Sequence, residues 1–467
     1  MSDHGPADNR HTRAMAAFVA GVQFEDIPAD VRHRAKLLIL DSIGCGLYGA
    51  RLQWTKIVID TLSAMDHEKT CRLWGSDKTL SPVHAALVNG TQIQGFELDD
   101  VHRRGVLHVG AVSLPPITAV AEMNPDMTGK EYLTAAIAGY EMGPRVGICM
   151  GQEHIGQGWH SGATLGCFSA AGAAARGLGL DAETTIHALG IAGTQAAGLM
   201  AAQFGAMVKR VHAGKSAHSG LLAALLAKNG LTGIIDVFEA PYGGFCSTFS
   251  RSNDRYNLEE LSKGLGEDYE LMNIALKFYS CVGSNHTTLD SIRDIQARRP
   301  FTLDELDKIV VKGSQVTADH VGWPYRPEGM TSAQLNLPYC VATLLLEDEV
   351  FVDQFSDESC VTNPERMELS KKVLVEHDPE ITALGSKHRH KVHVEVHLKD
   401  GTVEKETREY ARGSEHDFAT EETILRKFKI LTKDALPEAQ RDELIDSIMG
   451  MENLPSAARL SELMKAG

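Results

Sequence analysis

Between Trp159 and Gly179 the chain is built largely from small residues, with Gly162, Gly166 and Ala170 recurring at every fourth position. In a helix that spacing places them on one face. A face without large side chains lets a neighbouring backbone come close, so a helix of this kind belongs inside a bundle. Ala188 to Met207 continues the pattern. The chain up to Tyr242-Gly243-Gly244-Phe245 therefore reads as a compact bundle of buried helices with few strands.

Helical spacing also runs from Thr12 to Gly49, where Pro28 opens a helix that buries Leu37, Leu38, Leu40 and Ile43. Leu80 to Gly95 is a further helix with Pro82 in its first turn, and Pro115 and Pro116 fall in the first turn of the next apolar segment. Residues 1–12 read as disordered. After Phe245 the character changes. Asn257 to Lys263 is a polar connector, Asp307 to Gly313 is strand-like, and Thr331 to Glu349 is an apolar helix. Lys391 to Leu398 alternates strictly, Asp400-Gly401 supplies a tight turn, and Thr402 to Tyr410 returns. Glu421 to Gly467 is again helical. The expected class is mainly α. A large helical domain is built from both chain ends, residues 12–265 and 415–467, and residues 266–414 form an inserted α+β lid with a small antiparallel sheet.

The 467 residues carry 62 acidic against 46 basic side chains, a formal charge of −16. That balance argues against nucleic acid or an anionic membrane as partner, so an anionic small molecule must be drawn by local charge. The N-terminus lacks the pattern of a secretory signal, and no apolar run approaches a membrane span. Eight cysteines without a CxxC pair suggest reduced, buried thiols and a cytoplasmic protein.

Such local charge occurs from Gln195 to Gly220, where Lys209, Arg210, His212, Lys215 and His218 fall in a region with no acid between Gly193 and Ile235. The segment reads as a cationic site for a polyanionic small molecule, or else as a solvent-facing helix end whose cations complement the C-terminal dipole. Three other segments carry chemistry. In Gly95 to Gly110, Glu97, Asp99 and Asp100 precede His102, Arg103, Arg104 and His108; a carboxylate beside a histidine suits general acid–base work. The alternatives are an acidic helix end followed by a surface loop, or a metal site of Asp99, Asp100, His102 and His108. In Gly158-Trp159-His160-Ser161-Gly162, His160 sits at a helix start, where free N–H groups favour a carboxylate and the dipole would lower the imidazole pKa. In Lys277 to His286, Lys277 precedes a Cys281-Val282-Gly283 turn at the domain boundary. The tract His388, His390, His393 and His397 reads as a solvated strand face rather than a metal site, and no Gly-rich piece has the context of a nucleotide loop.

Taken together, ELDDVH with the following Leu107-His108, GWHSGA at 158–163, GIAGTQAAGLMAAQFGAMVKRVHAG at 190–214, YGGF at 242–245, and KFYSC with His286 resemble the MmgE/PrpD family over nearly the whole chain. That family includes 2-methylcitrate dehydratases, cis-aconitate decarboxylases and an iminodisuccinate epimerase, and GWHSGA, AMVKRV and YGGF look closest to the fungal-type decarboxylases. The resemblance implies a homodimer with a cofactor-free, metal-free active site between helical domain and lid. It implies His108, His160, Lys209 and Lys277 as catalytic residues, maps the acidic motif to Glu97, Asp99 and Asp100, and offers Tyr325 as the tyrosine near the lid; with these, His102, Lys215 and His286 are expected to bind substrate. One departure stands out: animal decarboxylases carry a second histidine shortly after the lid lysine, where this chain has Cys281-Val282-Gly283 and His286 lies further on. Fungal-type relatives also have cysteine there.

The implied activity is a lyase acting on a small di- or tricarboxylate, cis-aconitate decarboxylase-like or 2-methylcitrate dehydratase-like, by proton transfer at a carbon next to a carboxylate. An epimerase of a dicarboxylate such as iminodisuccinate, or a non-catalytic carboxylate-binding protein, is the competing reading.

Overall fold

The structure is a computed structural model that describes residues 8–151, 153–203, 205–355 and 358–466. Residues 1–7 of the stretch read as disordered lie outside these, and helix α1 already begins within it, at Arg10–Gly21. The helical body continues with α2 (Ala29–Gly49), α3 (Pro82–Gln94), α4 (Val109–Met123), α5 (Gly129–Met150), α6 (Gly166–Gly177), α7 (Ala182–Gly193) and α8 (His212–Lys228).

Small residues set the helix spacing. A Cβ added at Gly220 would lie 2.3 Å from Ala170 Cβ, and one at Gly214 would lie 2.1 Å from Leu87 O, so α8 runs almost backbone to backbone against α6 and α3. The stretch from Trp159 is two helices rather than one: Ser161–Thr164, an interruption at Leu165, then α6. Beyond Gly193 the second small-residue stretch leaves the helix and reaches the 3₁₀ turns Met200–Gln203 and Met207–Val211. Lys209 and Arg210 close the 3₁₀ turn Met207–Val211 and are buried, and His212 opens α8, so these cations do not form a solvent-facing helix end. Pro115 and Pro116 lie inside α4, past its first turn. Proline leaves the carbonyl four residues back without a helical partner; α3 packs there, a Cβ on Gly90 falling 2.8 Å from Ala111 O.

Among the described residues, eight strands complete the fold. β1 (Cys71–Arg72) pairs with β2 (Thr79–Leu80), and β3 (Val101–His102) pairs antiparallel with β4 (Ile274–Ala275). β5 (Leu306–Gly313), β6 (Val373–His377), β7 (Val392–Leu398) and β8 (Val403–Arg408) form one sheet of order β6-β5-β7-β8. The β7–β8 hairpin turns through Gly401 at φ 89°, and β7 buries Val392, Val394, Val396 and Leu398. The sheet is mixed rather than purely antiparallel, because β6 runs parallel to β5. Helices α9 (Gly283–Arg298) and α10 (Leu337–Glu347) pack on it. The apolar segment around α10 is split at Asn336, whose side chain accepts from Tyr339 N–H at 2.8 Å and starts a new helix.

Helix α11 (Glu421–Thr432) returns to pack on α2. Its Lys427 ammonium lies 2.6 Å from Asp41 and donates to the backbone carbonyls of Leu98 (2.7 Å) and Lys277 (2.8 Å). One buried lysine therefore ties two of the chemistry-bearing segments to the bundle. Among the described residues, all eight cysteines are free thiols and no helix is long and apolar enough to cross a membrane.

Candidate active site

The β3–β4 pairing sets His102 opposite Ile274 and Val101 opposite Ala275, which brings the acidic segment alongside Lys277. Beyond β3 the chain makes a tight hairpin, with His102 N donating to Leu107 O at 2.8 Å. Strain lies before it and within it: Glu97 (φ 57°) and Val106 (φ 50°) both occupy the left-handed region. Each costs about 1–3 kcal/mol and has to be held by its surroundings. Ser161 holds Val106 through a hydrogen bond to its carbonyl.

Glu97 is the centre of the site. Its Oε1 accepts from Lys209 and, at 3.0 Å, from Arg210, and its Oε2 accepts from Lys277 at 3.2 Å. Burial pushes its carboxyl up, but Lys209, Lys277 and Arg210 outweigh burial and hold it well below the usual carboxylate range. Lys209 is pulled below the usual lysine range by burial, with Glu97 opposing. Arg210 also donates to Thr331 (3.0 Å) and Gln334 (2.8 Å), so it braces the cluster from behind.

Asp99 Oδ2 lies 2.9 Å from His108 Nδ1, and Asp99 Oδ1 lies 3.9 Å from Lys277 Nζ. With Asp99 ionised, this fixes the Nδ1 proton of His108 and leaves Nε2 for chemistry. His160 stands at the N-cap position of the Ser161–Thr164 helix without a side-chain cap bond, and its Nδ1 is 3.0 Å from Nδ1 of His212. Burial first, then Lys209, His212 and His108, hold His160 well below the usual histidine range, so it is neutral. The dominant cause is burial rather than the helix dipole expected from its position.

A cavity of about 560 Å³ is lined by His108, His160, Lys209, Lys277, Glu97 and His286, among others. Four segments far apart in sequence therefore share one cleft. Burial, Lys277 adding, pushes His286 down to about 3, and its Nε2 lies 3.2 Å from Cys281 O.

Other sequence-derived site residues sit elsewhere. Asp100 is wholly buried and accepts from Gly110 N at 3.0 Å, anchoring the start of α4. Burial and Asp99 raise its carboxyl well above the usual range. His102 is turned away by the hairpin, accepting from Gly105 N and lying 2.9 Å from Glu270. Lys215 is exposed and donates to Gln195 O at 3.1 Å. Tyr325 stacks on Tyr339 and donates to Val361 O at 2.8 Å, outside the cavity lining. The quartet Asp99, Asp100, His102 and His108 does not converge on a common point, since Asp99 pairs with His108, Asp100 with Gly110 N and His102 with Glu270; among the described residues no cluster of His, Cys, Asp and Glu is arranged to hold a metal ion.

The discounted histidine tract divides. His388 pairs with Glu409, His393 with Thr407 and His397 with Glu395, but His390 lines the cavity with its neighbour Arg389. His320, pushed down to about 4 by burial and then by Arg389, lines it too.

Family models for the MmgE/PrpD N-terminal and C-terminal domains match residues 13–257 and 279–450. A cis-aconitate decarboxylase-like protein of Aspergillus oryzae is 34% identical over 99% of this chain and 98% of its own length. A cis-aconitate decarboxylase of Aspergillus terreus is 34% identical over 97% and 95%, and that of Mus musculus is 26% identical over 97% and 93%. With both family domains matched in order, the chain belongs to the MmgE/PrpD family.

Proposed function

We propose that this protein is a lyase that removes carbon dioxide from a tricarboxylate of the cis-aconitate type, with His108 as the acid that protonates carbon. The observation that carries the reading is the Asp99–His108 pair at the wall of a cationic cavity. The names of the relatives point to the same substrate class.

In the step, the carbon–carbon bond to one carboxylate breaks and its electron pair stays on the substrate, delocalised toward a neighbouring carboxylate. Lys209 and Lys277 stabilise that charge, and Glu97 keeps the two ammonium groups together before substrate arrives. Imidazolium His108, its Nδ1 proton held by Asp99, gives the Nε2 proton to carbon and recovers it from water after product leaves. Neutral His160 donates a hydrogen bond without adding charge. Dehydration of a 2-methylcitrate-like substrate would use His108 as base, and epimerisation would need a second group on the opposite face.

Proton NMR on separate incubations with cis-aconitate, 2-methylcitrate and iminodisuccinate separates these. Itaconate from cis-aconitate, with one deuterium incorporated in deuterated water, is the expected product. 2-Methylaconitate or an inverted centre would replace this reading by another, and stabilisation by a substrate with no product would indicate a carboxylate-binding protein. A homodimer and independence from added metal are part of the proposal; light scattering and activity after exhaustive chelation test them.

A further inference from the structure

Five lysine and arginine side chains line the cavity: Arg103, Lys209, Lys277, Arg389 and Arg412. Four already have carboxylate partners. Lys209 and Lys277 meet Glu97, Arg103 meets Glu415 at 3.0 Å, and Arg412 meets Asp294 at 2.7 Å. Among the described residues no carboxylate lies within ion-pair distance of Arg389. Asp319 lines the same cavity, and its carboxylate accepts from Gln315 at 2.7 Å instead.

The arginine is nonetheless held firmly. Its carbonyl accepts from Ser314 (2.8 Å) and Thr317 (3.0 Å), and the next carbonyl, that of His390, accepts from Thr287 (2.8 Å). On the side chain, Nε donates to His390 Nε2 at 3.1 Å and Nη2 donates to Arg103 O at 3.1 Å. These bonds fix the guanidinium plane yet supply no negative charge. Burial, with Arg103 adding and Glu415 opposing, pulls its pKa to about 10, so it stays charged at neutral pH. A part-buried guanidinium that no carboxylate touches, Glu415 acting only from beyond ion-pair distance, leaves charge for a ligand to balance. Its planar donor edge matches a carboxylate.

We propose that Arg389 anchors a carboxylate of the substrate from the sheet-bearing side of the cavity, at a distance from the carboxylate handled by Lys209, Lys277 and His108. The assignment rests on the carboxylate-substrate reading above and adds to it: the cavity selects molecules with a second carboxylate placed to reach Arg389. It also means that substrate bridges the β5–β8 segment and the helical body.

The test compares wild type with Arg389→Met and Arg389→Lys, with Lys387→Met as a nearby exposed control. Steady-state kinetics on cis-aconitate and calorimetric titration with citrate, a non-reacting tricarboxylate, are run on each. Expected for Arg389→Met is a KM about 30–100-fold higher with kcat changed by less than about fivefold, and citrate affinity lowered by a similar factor. Arg389→Lys should fall between, and it serves as the readout if the Met variant does not fold. Unchanged KM and citrate affinity in the folded Met variant, or in the Lys variant standing in for it, would overturn the assignment. If wild type turns over no carboxylate yet loses citrate affinity on Arg389→Met, the lyase reading falls and Arg389 stands. If wild type neither turns over nor binds these molecules, both fall.

Discussion

Asp99 Oδ2 sits 2.9 Å from Nδ1 of His108, and Asp99 is itself wholly buried. An acceptor in that place decides which imidazole nitrogen carries the proton. In Asp99→Asn the amide can turn its NH₂ toward Nδ1, which favours the tautomer with the proton on Nε2 and removes the charge that balances an imidazolium. The expected outcome is a kcat lower by roughly 10²–10⁴ with little change in KM, since Asp99 does not line the cavity. Turnover of cis-aconitate alongside a near-UV circular dichroism spectrum matching wild type checks it; retained kcat would remove Asp99 from the mechanism.

Glu97 faces Lys209, Lys277 and Arg210, all buried. Glu97→Gln leaves three cations without their shared anion and should destabilise the fold by about 3–5 kcal/mol. Denaturant unfolding measures this, and the double variant Glu97→Gln/Lys209→Met should recover part of the loss. The pH dependence has a definite sign. The folded pKa of Glu97 is depressed, so its stabilisation is complete above its ordinary value of 4.5 and is lost as pH falls below it. The Gln variant should therefore show a flatter fall in stability below about pH 5 than wild type. An identical acid slope would mean that Glu97 is not held by these cations.

The segments bearing Glu97, His108, His160, Lys209 and Lys277 were legible because charged and titratable residues there interrupt otherwise apolar, glycine-rich sequence. What each side chain faces was less legible. His102 and His108 stand six positions apart in one segment, and only the tight hairpin between them sends one against Glu270 and leaves the other at the cavity. Arg389 and His390 were hidden by the strand that follows them. Strict alternation from Val392 to Leu398 made the whole histidine tract look like one solvated face, yet residues 388–390 precede the strand and obey no such period. Strand β6 was missed for a related reason, since Leu374 is exposed and Glu376 and His377 break its apolar run.

Lys427 joins helix α11 to both the acidic segment and the lysine segment, through Leu98 O and Lys277 O. It touches neither the cavity nor His108, so its role is positional. Lys427→Met leaves Asp41 buried without its cation and frees both carbonyls. The expected result is an unfolding free energy lower by roughly 3–5 kcal/mol and a lower kcat. Lys427→Arg, tested at a temperature where both variants are folded, should restore stability more than kcat, because the longer guanidinium cannot meet both carbonyls with the same spacing. Equal recovery of the two would assign Lys427 to stability alone.

The glycines of α8 offer a test of the packing behind the Lys209–Arg210 segment. At Gly214 a Cβ would lie 2.1 Å from Leu87 O and 2.3 Å from Thr91 Oγ1, in contact with backbone that has no room to move. At Gly21, the last residue of α1, a Cβ meets nothing within 4 Å. Gly214→Ala forces α3 and α8 apart and should cost about 1–3 kcal/mol or more, whereas Gly21→Ala should be neutral or gain up to about 1 kcal/mol by restricting the unfolded chain. Because α8 begins at His212, directly after Lys209 and Arg210, the outward shift should also loosen the Glu97 cluster and lower kcat in the folded fraction. Denaturant midpoints for the two variants decide the matter: equal stability would show that small residues here do not set the helix spacing.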